Sequence, residues 1–447
     1  ATTPQAHCWD GPQEERIWEI NRLGLVNSHP GVLYDLYARQ SLSNRHCEAK
    51  LGNITQFLGT ASVARDMLAI LEETGYEKIR YMGFSYGTLL GGTFAAMFPD
   101  RIERMVNDGN VHYAEWYNST GIHFVEGTDA VMLAFYDLCH LSGPEKCAFH
   151  APAPEDIFFR LEDLYDRLRR TPLQVLPSLE VENQIAGKPV VTEPELISYS
   201  DVKFAVIMSL YQPVLFFPEL ARALAALEEG DGIPFLEMVI SRGYRQDKFS
   251  CNCGNQVICP GSYQEDWPLK AVGNVDAANL VKCSEGAVAA DNDSLEQIEA
   301  YYAELEKVSP LAAPVMFNFR VACAGWKSRT KWKATIPLDA RTSYPILFIA
   351  NTADNITPLG SAIHNSRSFR DSVVLTQKSY GHASTSTPSK CTAYYRLAYF
   401  QNGTLPADGT ICETDIEPFG SDLNVLEYDE NDEMAEALRS LMLLNVT

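Results

Sequence analysis

The sequence predicts an α/β architecture in which a largely parallel sheet is interrupted by a long, mainly helical insertion. Three observations carry this expectation. Lys78-Ile79-Arg80-Tyr81-Met82 reads as a short strand, Gly83-Phe84-Ser85-Tyr86-Gly87 as a turn, and Thr88 to Phe98 as a helix. Tyr344 to Ala350 is a continuous apolar run of the kind that parallel strands buried on both faces show. Between these two regions, helix-like stretches run from Ala130 to His140, Pro154 to Arg169, Ser200 to Leu210, Pro218 to Glu229 and Leu295 to Leu305. Further strands are expected near residues 103–107 and 372–376. Val63, Met67, Leu68, Ile70 and Leu71 recur at helical spacing within Thr60 to Gly75, which predicts an amphipathic helix.

The turn is the chemically informative part. G-x-S-x-G between a strand and a helix is the setting of a nucleophile elbow, where the serine hydroxyl is held out over the sheet edge. Ser85 is the candidate nucleophile, the two glycines allow close backbone passage, and the helix behind favours developing negative charge. A serine needs a base, and the base needs an acid to hold its tautomer. In α/β-hydrolases the chain order is serine, acid, histidine. Of the nine histidines, those at 7, 29 and 46 precede Ser85, and those at 112, 123, 140 and 150 leave little room for an intervening acid strand. His364 falls on a helix-like face, Gly360 to Phe369, which leaves His382 in the small-residue loop Ser379-Tyr380-Gly381-His382-Ala383-Ser384. The apolar run 344–350 leads into Asn351-Thr352-Ala353-Asp354, so Asp354 is the candidate acid. Asp108, closing the strand before Gly109, is the alternative.

Gly83 to Thr88, Phe98-Pro99-Asp100-Arg101-Ile102, Asn107-Asp108-Gly109, Thr352 to Pro358 and Gly381-His382-Ala383-Ser384 together resemble the tripeptidyl aminopeptidase-like branch of secreted α/β-hydrolase serine peptidases, related to proline iminopeptidases. Phe217 to Leu224, continuing to Gly230-Asp231, resembles a helix of that branch's lid, and Cys323-Ala324-Gly325-Trp326 its Cys-x-x-Trp. The resemblance spans about residues 8–412. It implies residues 1–110 and 340–447 as catalytic core, residues 111–339 as lid, and cleavage of short peptides from free amino termini. It also implies a disulfide between Cys251 and Cys323.

One departure stands out. The family's sheet carries about four strands before the elbow, and a Gly-rich loop among them supplies half of the oxyanion hole. Only 84 residues precede Ser85 here, they read poorly as buried strands, and Ala1-Thr2-Thr3-Pro4 resembles the point just after the fourth strand. The N–H of Tyr86 is then the one oxyanion donor in hand, and an N-terminal fragment of the same precursor is the expected partner that completes the fold.

Composition places the protein outside the reducing cytosol. Eleven cysteines argue for an oxidising compartment, with Cys8–Cys47, Cys139–Cys147 and Cys391–Cys412 as expected pairs. The C-x-C spacing of Cys251 and Cys253, with Cys259, lacks nearby histidines and is not a usual zinc set, so no metal and no cofactor is expected. Sequons at Asn53, Asn118, Asn292, Asn402 and Asn445 suggest a secreted or vacuolar glycoprotein of eukaryotic, fungal type, while the one at Asn355 adjoins the candidate acid and is discounted. With 36 basic and 58 acidic residues, the net charge of −22 argues against nucleic acid as a partner. No apolar run of membrane-spanning length occurs, so no membrane is expected either.

Among the insertion's aromatics, Trp116, Tyr117, Phe124, Tyr211, Phe216, Phe217 and Trp326 are candidates to line a pocket, and Glu115, Glu126, Glu219 and Asp231 to bind an amino terminus. The same serine chemistry also fits an ester, lactone or amide of a small metabolite, because fold and triad do not choose the substrate. A non-catalytic binding protein lacking its N-terminal strands is the reading from a different class.

Overall fold

The computed structural model describes residues 6–10, 12–21, 23–177, 184–185, 188–189, 191, 193–243, 275–286, 293–335 and 337–420. Five parallel strands form its main sheet: β1 (Ile79–Phe84), β2 (Ile102–Asp108), β7 (Leu347–Ala353), β8 (Val373–Tyr380) and β9 (Ile411–Glu413). Their spatial order is β1-β2-β7-β8-β9. The insertion adds two small antiparallel ribbons to its helices, β3 (Leu173–Val175) with β6 (Glu195–Ile197) and β4 (Gln184–Ile185) with β5 (Lys188–Pro189).

Alternation along β7 explains why its sequence is apolar without a break. Phe348 and Ala350 pack on one face with Leu89, Phe94 and Ala362, from helices Tyr86–Met97 and Leu359–Ser366. Leu347 and Ile349 pack on the other with Leu375, Tyr399 and Cys412, under helix Lys390–Asn402. Both faces are covered along 347–350, so that stretch is apolar on both. The strand expected at 372–376 runs on to Tyr380, delivering the histidine loop directly from its end. β9 was not foreseen, because only its central Cys412 is buried and a three-residue strand has too few positions to show a pattern.

The insertion's helices run Thr128–Ser142, Pro154–Arg170, Tyr199–Ser209, Pro213–Glu229 and Leu295–Val308, each within a few residues of the expected stretch except the fourth, which begins five residues earlier. Pro218 lies inside that helix rather than at its start. One apolar cluster joins Phe135, Leu161, Phe217 and Leu224 to Val26, Val32 and Leu36, so the segment before the elbow packs on the insertion as well as on the sheet. Helix Val32–Leu51 has Val32, Leu36, Asn44 and Cys47 on its buried side. Asn44 is accommodated because its amide donates to the carbonyls of Ala322 and Ala324, at 2.9 and 2.8 Å.

Cys8–Cys47, Cys139–Cys147 and Cys391–Cys412 are bonded as expected. The pairing of Cys323 is a correction: its partner is Cys283, on helix Val275–Glu285, not Cys251. That helix packs Leu280 and Cys283 against Cys323 and Trp326, which puts the two sulfurs in one apolar cluster. Cys251 lies outside the described residues, as do Asn292 and Asn445. Asn53, Asn118 and Asn402 are exposed, whereas Asn355 is buried. Among the described residues, no helix is long and apolar enough to cross a membrane.

Candidate active site

Ser85 sits between β1 and helix Tyr86–Met97 with φ 52° and ψ −123°, a left-handed conformation that a non-glycine residue holds only under constraint. The constraint is visible. The Ser85 N–H donates to the Asp108 carbonyl at 3.2 Å, and the Ser85 carbonyl accepts from the backbone N–H and hydroxyl of Thr88 at 2.9 and 2.7 Å. Gly83 is required here, because a Cβ on it would lie 2.5 Å from the Gly87 carbonyl oxygen. Gly87 is not under the same pressure, its nearest neighbour being the Tyr81 hydroxyl at 3.5 Å. The close approach the pentapeptide demands is therefore met by the first glycine, and Gly91 supplies the second, its Cβ position falling 2.6 Å from Asn107 Oδ1. Tyr86 is the first residue of the helix, so its N–H has no partner one turn back and is available to an oxyanion.

Asp354 and His382 come together at the ends of adjacent strands. Asp354 follows β7 immediately, and His382 lies two residues beyond β8. His382 Nδ1 is 3.1 and 3.2 Å from the two carboxylate oxygens and 3.0 Å from Thr357 Oγ1. Asp354 is fully buried and also accepts from Ile356 N, Thr357 N, Thr357 Oγ1 and Ala383 N, at 3.0, 2.9, 2.7 and 2.9 Å. Burial pushes its carboxyl up, but the charge of His382 and the hydrogen bonds from His382, Ala383 and Ile356 outweigh it and hold the group below its usual value. With Nδ1 facing a carboxylate, Nε2 is the nitrogen left to act as a base.

Sequence reasoning missed several supports of this pair. Asn351, buried in β7, donates to the carbonyls of Gly381 and Ala383 at 2.8 and 2.7 Å, holding the loop on either side of His382. The Tyr211 carbonyl of the insertion accepts from His382 N at 2.9 Å, and its ring lies 5.3 Å from the imidazole. Asn and Thr are too common for their presence near a motif to have signalled these roles. Asp108, the alternative acid, is also fully buried, but its hydrogen bonds go to Ser384. His364 packs against His112 instead, the ring centres 4.2 Å apart and the planes tilted by 30°.

Of the seven insertion aromatics, Tyr117, Phe124, Phe216, Phe217 and Trp326 are core residues. Trp116 and Tyr211 are partly exposed, the first 5.3 Å from Tyr86 and the second beside His382. Among the carboxylates, Glu219 is paired with Arg242 and Asp231 Oδ1 accepts from Ile233 N. Glu115 bonds His123, which also has Glu126 at 3.8 Å. A further carboxylate is linked to the elbow through Thr60. Glu285 accepts from Thr60 N, Thr60 Oγ1 and Trp116 Nε1 at 2.6, 2.7 and 2.6 Å, and Thr60 Oγ1 is 2.7 Å from the Tyr86 hydroxyl. Burial pushes Glu285 up to about 7, the bonds from Thr60 and Trp116 offsetting it only in part.

A parallel sheet with helices on both faces, an elbow serine at the carboxyl end of one strand and an acid–histidine pair at the ends of two others define the α/β-hydrolase fold, which this chain has. Residues 14–171 match the family described as alpha/beta hydrolase fold, and residues 309–412 the family described as TAP-like protein. The chain is 26% identical over 377 residues to serine protease Hip1 of Mycobacterium tuberculosis and of Mycobacterium bovis, covering 82% of this chain and 64% of those proteins. Over 96 residues it is 33% identical to the tripeptidyl aminopeptidase of Streptomyces lividans, 20% of this chain and 18% of that one. The chain thus spans about two thirds of the length of its Hip1 relatives. These relatives are bacterial and lend no support to a fungal source.

Proposed function

We propose that this chain is the catalytic part of a serine peptidase that releases short peptides from free amino termini. The observation that carries it is the Asp354–His382 pair, hydrogen-bonded at the same carboxyl-terminal edge of the sheet that holds the strained Ser85. In this reading Ser85 Oγ attacks the scissile carbonyl while His382 Nε2 takes its proton, and the tetrahedral oxyanion is met by Tyr86 N–H. His382 then protonates the leaving amine, and a water activated by the same imidazole releases the acyl group from Ser85. Similarity to a serine protease along most of the chain supports peptide substrates. The shorter match to a tripeptidyl aminopeptidase supports the exopeptidase reading.

The proposed partner is a further segment of the precursor. Among the described residues β1 pairs only with β2, and most of its residues are half-buried, unlike those of β7. Val63 and Ile70 on helix Thr60–Glu73 and Tyr76 in the turn before β1 stay exposed. An added strand would pair with the open edge, and its loop would supply the second oxyanion donor, whose loss costs about 3–4 kcal/mol of transition-state stabilisation. The four disulfides among the described residues support an oxidising, extracellular or vacuolar setting.

A fluorophosphonate probe tests the chemistry, since Ser85 Oγ displaces fluoride from phosphorus and stays labelled. Ser85→Ala should abolish labelling; continued labelling refutes the assignment, and an unlabelled native protein points to a non-catalytic binding protein. Peptide amides with free and blocked amino termini separate exopeptidase from esterase or amidase, equal rates on both refuting the former. Intact mass and a denaturing gel of the native protein test the partner, a single species of this chain's mass counting against it.

A further inference from the structure

We propose that Asp108 is a positioning residue that references the nucleophile turn and the histidine loop to one point; the proposal rests on the reading of Ser85 and His382 above. Asp108 is the last residue of β2, in register with Phe84. Its main chain holds one half of the site, because the Asp108 carbonyl accepts from Ser85 N at 3.2 Å. Its side chain holds the other, Oδ1 accepting from Ser384 N at 2.8 Å and Oδ2 from Ser384 Oγ at 2.5 Å. Ser384 is two residues past His382.

The chemistry of the contact is selective. An ionised carboxylate accepts only, so both donors of Ser384 must turn toward it and the loop has one orientation. Burial of a charge this deep is costly unless hydrogen-bonded, which is why a carboxylate with no positioning role would be out of place here. Burial pushes the Asp108 carboxyl up, the two Ser384 bonds and the charges of the half-buried Arg396 and of His382 opposing it.

The following residues tighten the link. Gly109 has φ 67°, and a Cβ there would lie 2.9 Å from Ala383 Cβ and 3.2 Å from Thr357 Oγ1. Asn110 Nδ2 donates to the Asn107 and Ile349 carbonyls at 3.0 and 2.9 Å, fastening the turn to β7. Elbow, acid loop and histidine loop therefore all touch the turn 108–110.

The test compares wild type, Asp108→Ala, Asp108→Asn and Ser384→Ala by fluorophosphonate labelling rate, steady-state kcat and KM on a peptide amide, and thermal melting. Asp108→Ala should lose about a hundredfold in labelling rate and kcat with KM little changed, as expected for a displacement near 1 Å. Asp108→Asn should recover most of this, since its amide oxygen still accepts from Ser384 N and its NH2 can donate to Ser384 Oγ. Ser384→Ala, which keeps the backbone bond, should fall in between and carries the test if Asp108→Ala melts below assay temperature. Labelling of Asp108→Ala within twofold of wild type overturns the proposal. So does a loss expressed in KM alone, or an Asp108→Asn variant as impaired as Asp108→Ala. A wild type that does not label at Ser85 overturns the parent reading with it.

Discussion

Placing a single methyl group at Gly127 should disable the site without touching any side chain in it. Gly127 precedes helix Thr128–Ser142 with φ −91°, so alanine meets no backbone penalty there. Its Cβ, however, would stand 2.0 Å from the carbonyl oxygen of Asp354, 2.9 Å from its carbonyl carbon and 3.1 Å from its nitrogen. Ordinary contact begins at 3.4 Å, so the two backbones must part by about 1.4 Å. Backbone cannot rotate away as a side-chain tip can, and Thr128 Oγ1 also ties this turn to the Asn355 carbonyl at 2.8 Å. Overpacking of this kind costs about 1–3 kcal/mol of stability. Shifting the acid by about 1 Å misaims His382, for which about a hundredfold in rate is expected.

Gly360→Ala is the matched control. It lies on the same acid loop's helix, its Cβ would meet only Glu126 Oε2 at 3.5 Å, and the helix should gain up to about 1 kcal/mol. Fluorophosphonate labelling rates and thermal melts of both variants decide the matter. A Gly127→Ala protein that labels and melts like wild type, or a Gly360→Ala protein equally impaired, refutes the packing argument.

Other outcomes follow from the same geometry. Asp354 is held below its usual 3.8, so its ionised form stabilises the fold above that value and the contribution fades as pH falls below it. Asp354→Asn should be less stable than wild type at neutral pH, with the gap in urea melts closing as the pH drops below 3.8; a gap independent of pH counts against the pair. Glu285 is raised from 4.5 to about 7, so its protonated form favours the fold and stability declines as pH rises across that window. Glu285→Gln should remove that slope, and an unchanged slope excludes Glu285 as its source. Lys282, buried beside the Phe319 carbonyl and lowered from 10.5 to about 7, gives the opposite slope above 7, which Lys282→Met should abolish. Non-reducing peptide mapping should recover Cys283 joined to Cys323, and Cys323→Ser should cost about 2–5 kcal/mol in a denaturant melt.

What was legible in the sequence was what is local or periodic. The strand–turn–helix around Ser85 occupies about twenty residues and announces itself by glycine spacing. The run 344–350 reads as a buried strand because both its faces are covered. The helix Val32–Leu51 was not read, since its buried side includes Asn44 and Cys47, and a polar residue in a core shows its reason only through partners 278 residues away. The expectation of Cys251 rather than Cys283 as the partner of Cys323 failed for the same cause: pairing follows the packing of helix Val275–Glu285 on Trp326, not spacing along the chain.

Ser85 as the candidate nucleophile and the strained turn that carries it were legible along the chain, because that turn rests on steric rules that act over a few neighbouring residues. Which of Asp354 and Asp108 faces His382 is seen in the fold alone. Both end strands and both are buried, yet the parallel pairing of β7 with β8 sets Asp354 against His382, while β2 carries Asp108 against Ser384. Hydrogen-bond partners are assigned by which strand ends lie side by side, and that ordering is a property of the folded sheet.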